Sequence, residues 1–166
     1  MTYKTWSEEA HKKYVAPHDV AKRVQEWKSQ GKTVVTLNGS FDLLQAGHLY
    51  IIHQAKQQGD ILFVAVNTDA SIRGYKSPDR PIISLHYRLQ LLAALEFVDY
   101  LTWFDELDPR ALLEKIAPDI HVNGAEYGET CIEAEVVKRN GGRIHLVDRI
   151  PNLSTTEIIA KIKSLP

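Results

Sequence analysis

Five short apolar runs alternate with segments of helical periodicity along this chain, and no other feature constrains its fold so strongly. The runs fall at 34–37, 61–66, 100–104, 120–122 and 143–147. Residues 61–66 are apolar at every position, which suits a strand covered on both faces. Between the runs, Val20, Val24 and Trp27 recur at helical spacing until Gly31 stops them. A second helix is expected over 47–58, ended by Gly59-Asp60. Ser84 is placed to cap a helix carrying Leu85, Leu89 and Leu92. Asp108-Pro109 reads as another start, with Asp as cap and Pro at the first helical position, and that helix should end near Ala117-Pro118. Further helices are expected over 132–139, stopped by Asn140-Gly141-Gly142, and over 155–164, with Ile158, Ile162 and Leu165 on one face.

Strands alternating with helices predict an α/β fold: one Rossmann-like domain with a five-stranded parallel sheet and helices on both faces. Residues 1–17 lack clear periodicity and read as an N-terminal arm, leaving 18–166 as the domain. Such sheets bind ligands at the carboxyl ends of their strands, near the point where strand order reverses. Chemistry is therefore expected in the loops after Leu37, Val66, Phe104, Val122 and Val147.

Composition narrows the partners. The 166 residues suffice for one well-buried domain. A net charge of −1, from 20 basic and 21 acidic residues, argues against nucleic acid as the main ligand but leaves room for a local anion pocket. The single cysteine, Cys131, permits no internal disulfide and fits a reducing compartment. No run approaches the roughly 20 apolar residues that cross a bilayer, and the polar start is not a secretory signal. A cytoplasmic protein with no membrane association is expected.

The most informative segment is Asn38-Gly39-Ser40-Phe41-Asp42-Leu43-Leu44-Gln45-Ala46-Gly47-His48, which follows the first strand and opens a helix. Its glycines let backbone approach a ligand, and free N–H groups at a helix start attract phosphate. The same residues would also serve as an ordinary strand-to-helix connection. Neither a Gly-x-Gly-x-x-Gly fingerprint nor a P-loop lysine occurs, and Ser40 is not in a Gly-x-Ser-x-Gly elbow. Arg88 sits among Leu85, Leu91, Leu92 and Leu95, so its guanidinium needs a carboxylate or a bound phosphate. Ser154-Thr155-Thr156-Glu157 forms a capping box, with Ser154 able to cap and Glu157 able to reach back. Metal ligands are not evident: His48 and His53 do not share a helix face, and Cys131 reads as structural.

At the Gly39 to His48 segment the chain resembles the cytidylyltransferase-like nucleotidyltransferases, whose signature is Gly-x-Phe-Asp, a short gap, then His-x-Gly-His. The resemblance runs from about Asp19 through Asp69-Ala70-Ser71, Lys76, Arg80-Pro81, Arg88, Ala94-Leu95-Glu96, Asn123-Gly124 and Ser154-Thr155-Thr156. It looks closest to the adenylyltransferase part of ADP-heptose synthases, which act on D-glycero-β-D-manno-heptose 1-phosphate. The resemblance implies that His48 contacts a triphosphate and stabilises transition-state charge, with Lys76 as a mobile cation. Arg88 would hold a phosphate of the acceptor or of the triphosphate. Asn38, Gly39, Ser40, Phe41, Asp42 and Gly47 would shape the nucleotide cleft, Asn123 and Gly124 would lie near the base, and Ser154, Thr155 and Thr156 would touch phosphate. It further implies ATP with Mg2+, a small phosphorylated substrate, a homodimer, a separate sugar kinase, and a product that feeds lipopolysaccharide core synthesis. A cytidylyltransferase acting on glycerol phosphate or a similar phosphoalcohol is the alternative.

Three positions depart from the pattern. Gln45 replaces the first signature histidine; it can donate a neutral hydrogen bond but cannot carry charge. Losing one preorganised donor costs on the order of 10² to 10³ in rate, so a weakened enzyme, or a nucleotide-binding protein without catalysis, is also expected as a rival. Asn123 stands where heptose enzymes carry lysine, and Asn152 where glycine precedes the Ser-Thr pair. Arg149 is followed by Ile150, not by the threonine that cytidylyltransferases favour, which points toward ATP.

Overall fold

Strand β1 (Val34–Gly39) is central, with β2 (Ile61–Asn67) and β3 (Tyr100–Phe104) on one side and β4 (Ile120–Gly124) and β5 (Arg143–Val147) on the other. All four pairings are parallel, giving the order β3-β2-β1-β4-β5 in a computed structural model that describes residues 5–151 and 153–166. Asn152, one of the three departures, lies outside the described residues. The chain winds outward through β2 and β3, then crosses back to β4, so the order reverses between β1 and β4. A crevice forms there because the connections after β1 and β4 leave on opposite faces.

The helices are α1 (Trp6–His11), α2 (Val20–Ser29), α3 (Ala46–Lys56), α4 (Asp69–Tyr75), α5 (Leu85–Ala93), α6 (Arg110–Ile116), α7 (Ala134–Arg139) and α8 (Thr155–Lys163). No described helix is long and apolar enough to cross a membrane. Strand pleating sends Val35, Leu62 and Val64 into one core with Ile52, Leu92 and Leu101, and Val34, Phe63 and Ala65 into another with Val20, Val24 and Trp27. Every residue of β2 after Ile61 is buried, as the uninterrupted apolar run requires. Phe63, fully buried, meets Trp27 edge-on with centroids 5.5 Å apart; burying such a ring contributes about 1.5–3 kcal/mol.

The five-stranded parallel sheet is the one the alternation predicts; the differences are local. The segment read as an arm holds α1, whose Thr5 and Glu8 form a reciprocal capping box. Beyond it, the Val15 N–H donates to Leu101 O and the Leu101 N–H to Lys13 O, both at 2.8 Å. This stretch therefore covers the open edge of β3, where unpaired N–H groups would invite aggregation. Helix α4 replaces the expected loop and is capped by Thr68, whose hydroxyl accepts the Ser71 N–H at 3.2 Å. Ser84 makes no side-chain cap; Asp69 Oδ1 takes the Leu85 N–H instead at 2.8 Å. Helix α6 starts at Arg110, one residue late, with Asp108 Oδ1 accepting the Arg110 N–H at 3.0 Å.

One buried polar pair joins the two central strands. His121, with no exposed surface, lies 2.8 Å through Nδ1 from Thr36 Oγ1. Burial pushes its imidazole down to about 3 from 6.5. The unfolded chain thus binds a proton more readily, so the contribution of neutral His121 to stability is complete above pH 6.5 and is lost as pH falls toward 3. Urea unfolding across that range is expected to show a steeper pH slope for the wild-type chain than for His121→Gln. Equal slopes would show that this imidazole is not held neutral by the fold.

Candidate active site

Above the carboxyl ends of β1 and β4 lies a cleft of about 590 Å³. The end of β1 supplies Asn38 and Gly39, and the following turn supplies Ser40 and Phe41. That turn is tightly wound: Phe41 and Leu43 sit at φ 47° and 51°, a region that costs a side-chain-bearing residue about 1 kcal/mol or more. Two anchors hold it. The Phe41 ring is buried, with Gly39 leaving it space, since a Cβ there would come within 3.2 Å of the ring. Asp42, fully buried, accepts from Arg80 Nε at 2.7 Å and from the Ile82 and Ile83 N–H groups at 2.9 Å each. Burial raises its pKa, but these bonds outweigh it and hold the carboxyl below the usual range.

Asp42 is consequently a brace beneath the cleft and does not line it, so its part in shaping the cleft is to hold the β1 turn and not to contact the nucleotide itself. Its acceptor capacity is taken up by a loop from another part of the chain. Arg88 departs from its expected role. Expected to hold a substrate phosphate, it has no exposed surface and lies outside the cleft lining. Its partners are Asp69 Oδ1 at 2.7 Å and the carbonyls of Ile83, Ser40 and Asn67 at 2.9, 2.6 and 2.8 Å. Of the two partners its chemistry allowed, the fold supplies the carboxylate.

Helix α3 opens on the cleft with Gln45, Gly47 and His48. His48 Nδ1 accepts the Gln45 N–H at 3.3 Å, which places the neutral ring's proton on Nε2. Burial first, then the Lys76 charge, lower its pKa to about 4, with Asp42 pulling weakly the other way. At neutral pH His48 is therefore an uncharged donor. Gln45 caps its own helix, Oε1 accepting the Gly47 N–H at 2.5 Å. Glycine at position 47 leaves room for the cap, because a Cβ would meet Gln45 Oε1 at 2.8 Å and Leu153 O at 3.1 Å, so that side chain and the approach of Leu153 would both have to shift.

Lys76 ends α4 and reaches over the cleft, its Nζ donating to Ser40 Oγ at 2.9 Å. Partial desolvation, followed by Arg80, lowers its pKa; Asp42 opposes this and Arg88 adds to it. His48 and Lys76 thus face one cavity. On its far side stand Asn123 and Gly124 from β4, where Asn123 Oδ1 accepts the Gly124 N–H at 3.1 Å. Ser154, Thr155 and Thr156 close the cleft at the start of α8. The Ser154 hydroxyl accepts the Glu157 N–H at 3.2 Å, leaving its own proton for a ligand. The Thr155 hydroxyl instead donates to Asp42 O at 2.8 Å and ties α8 to the β1 turn.

The cleft also contains residues the sequence did not single out: Glu126, Tyr127, Glu133 and Asp148. Glu126 pairs with Arg149 at 3.5 Å. The switch-point rule had marked the loop after β4, but not that it folds back to bring two carboxylates inside. Among the described residues, no three His, Cys, Asp or Glu side chains gather closely enough to hold a metal.

Comparison with known proteins agrees with this architecture. A family model for cytidylyltransferase-like proteins matches residues 36–161. The chain belongs to the cytidylyltransferase-like family, whose members are nucleotidyltransferases. Within it, the chain is 43% identical over 157 residues to the bifunctional protein HldE of Mesorhizobium japonicum, covering 93% of this chain and 32% of that protein. It is 45% identical over 136 residues to HldE of Syntrophotalea carbinolica, covering 81% and 28%. The chain therefore spans about a third of the length of these relatives. Among solved structures, a lipopolysaccharide core biosynthesis protein from Thermoplasma volcanium superposes with a TM-score of 0.58 at 29% identity, over 72% of this chain and 98% of that one. A pantoate-beta-alanine ligase from Francisella tularensis, at 17% identity and TM-score 0.57 over 90% and 76% of the two chains, shares the fold.

Proposed function

We propose that this domain transfers AMP from ATP to a sugar 1-phosphate, a heptose phosphate being the best candidate, and releases pyrophosphate. One observation carries the reading: His48, Lys76 and the N-terminus of α3 converge on a single cleft at the switch point. The similarity to HldE and to a lipopolysaccharide core biosynthesis protein supports the sugar acceptor. A phosphate oxygen of the acceptor attacks the α-phosphorus in line. The bond to the bridging oxygen breaks as that oxygen leaves with pyrophosphate. His48 Nε2–H donates to a phosphate oxygen as charge builds there, and Lys76 exchanges its Ser40 bond for a phosphate. His48, held by its helix, stabilises charge without reorganising, and Lys76 adds a positive charge that moves onto the phosphate; positioning and charge are the main requirements of this chemistry. Ser154 and Thr156 face the nucleotide from α8. Mg2+ would arrive on the triphosphate with phosphate oxygens as its main ligands, and supplies charge neutralisation when bound. A cytoplasmic homodimer whose acceptor is made by a sugar kinase activity completes the proposal.

A screen of ATP and CTP against heptose 1-phosphate, other sugar phosphates and glycerol phosphate, reading pyrophosphate, tests it. Turnover only with CTP and a phosphoalcohol would replace it by the cytidylyltransferase reading. Tight nucleotide binding without pyrophosphate from any acceptor would favour a binding protein that has lost catalysis.

Gln45 gives that last reading its specific support, because its carboxamide occupies an N–H that would otherwise meet phosphate. Gln45→His is expected to raise turnover by up to about 10²-fold, the part of a lost donor's effect that a neutral amide does not replace. A pyrophosphate assay on both proteins decides it. Equal rates would mean that Gln45 costs nothing here.

A further inference from the structure

The β4 side of the cleft holds a carboxylate that the transfer chemistry does not use. Glu133 lines the cleft just before α7 and is only 6% exposed. Its side-chain contacts are neutral: Asn123 Nδ2 donates to Oε2 at 3.3 Å, and the Cys131 thiol bonds to it. Arg110, whose field reaches Glu133, is itself bonded to Asp108 at 2.9 Å. Among the described residues Glu133 forms no ion pair. A carboxylate so little exposed needs donors, and one long amide bond with one weak thiol donor is a small supply.

Its neighbours cannot take over the same task. Asn123 gives its amide proton to Glu133 and its oxygen to the Gly124 N–H. Glu126 is more exposed and already paired with Arg149. Asp148, after β5, is exposed to water, so the little-exposed cleft carboxylate at this end of the sheet that no cation engages is Glu133, and an ionised carboxylate can only accept.

The position selects the ligand group. Lys76 and the N–H groups opening α3 lie on the β1 and β2 side of the switch point, where phosphate charge is favoured. A phosphate beside Glu133 would be repelled as a like charge. What fits is the uncharged end of a nucleotide, which carries O–H and N–H donors. We propose that Glu133 is a specificity-determining residue that accepts a hydrogen bond from the nucleoside, through the ribose hydroxyls or the exocyclic amine of the base. The assignment rests on the nucleotidyl-transfer reading above.

Calorimetric titration of the full chain with α,β-methylene-ATP and with its 2′-deoxy, 3′-deoxy and 6-deamino analogues tests it. For the wild-type chain, at least one analogue should bind about 10- to 100-fold more weakly than the parent, as expected for a lost bond to a charged group. That analogue identifies the donor. In Glu133→Ala the penalty should disappear because the parent falls to the same affinity. Glu133→Gln, which preserves size, should reduce the penalty and serves if the alanine variant does not fold. Nucleotide binding with the same analogue ratios in the wild-type, Glu133→Ala and Glu133→Gln chains would overturn the role of Glu133 alone. No binding of any nucleotide to the wild-type chain would overturn the transfer reading as well.

Discussion

Lys76→Met will lower turnover by roughly 10²- to 10³-fold, the usual effect of removing one fixed donor to transition-state charge, while the melting temperature barely moves. Lys76 is exposed, and its one side-chain hydrogen bond goes to a hydroxyl, so little of the fold depends on it. Its value lies in where Ser40 parks it, above the turn that leads into α3. Methionine keeps the apolar stem and removes the charge. A pH profile separates this cation from His48. The histidine, titrating at about 4, is already neutral across the physiological range and should contribute no limb between pH 6 and 8. The lysine's pKa lies below the ordinary 10.5. Raising pH through it removes the positive charge, so wild-type activity should fall on the alkaline side, and the lysine's part of that limb should vanish in Lys76→Met. Identical alkaline profiles in the two proteins, or an unchanged kcat, would remove Lys76 from the chemistry.

The sheet was legible because each strand is a compact β-branched or aromatic run bounded by polar or glycine residues. Residues that face the cleft from the β1–α3 connection were legible for a related reason: strand end, glycine and helix start are consecutive in sequence. What escaped depended on remote partners. Asp42 is adjacent to the cleft in sequence, but its oxygens are taken by the loop at Ile82 and Ile83, about forty residues further on. Helix α1 carried a readable Thr5 and Glu8 box, but it is too short to show an apolar period. Glu133 has no local signal, since its burial arises only when the loop after β4 folds back over the sheet.

Arg88 is the sharpest instance of a residue whose chemistry was readable and whose partner was not, and Arg88→Met is expected to destabilise the domain by about 3–5 kcal/mol, as breaking a buried ion pair does. The guanidinium has no exposed surface and makes four hydrogen bonds between 2.6 and 2.9 Å. Removing it strands three carbonyls, from the β1 turn, the end of β2 and the entry to α5. Asp69 keeps only its bond to the Leu85 N–H and is 30% exposed at the side chain, so water rescues part of its loss but little of that of the buried Asn67 carbonyl. Arg88→Lys should recover little, because one ammonium cannot span the directions a planar fork reaches. In urea the midpoint should fall with the m-value unchanged, the mark of lost stability without a changed unfolded state. Turnover should fall too, since Arg88 holds Ser40 O while Ser40 Oγ holds Lys76. A direct phosphate ligand would behave differently: the acceptor KM would rise while the unfolding midpoint stayed in place. That outcome would return Arg88 to the substrate. A lowered midpoint in both variants fixes it as the joint that sets β1, β2 and α5 at the angle on which the cleft depends.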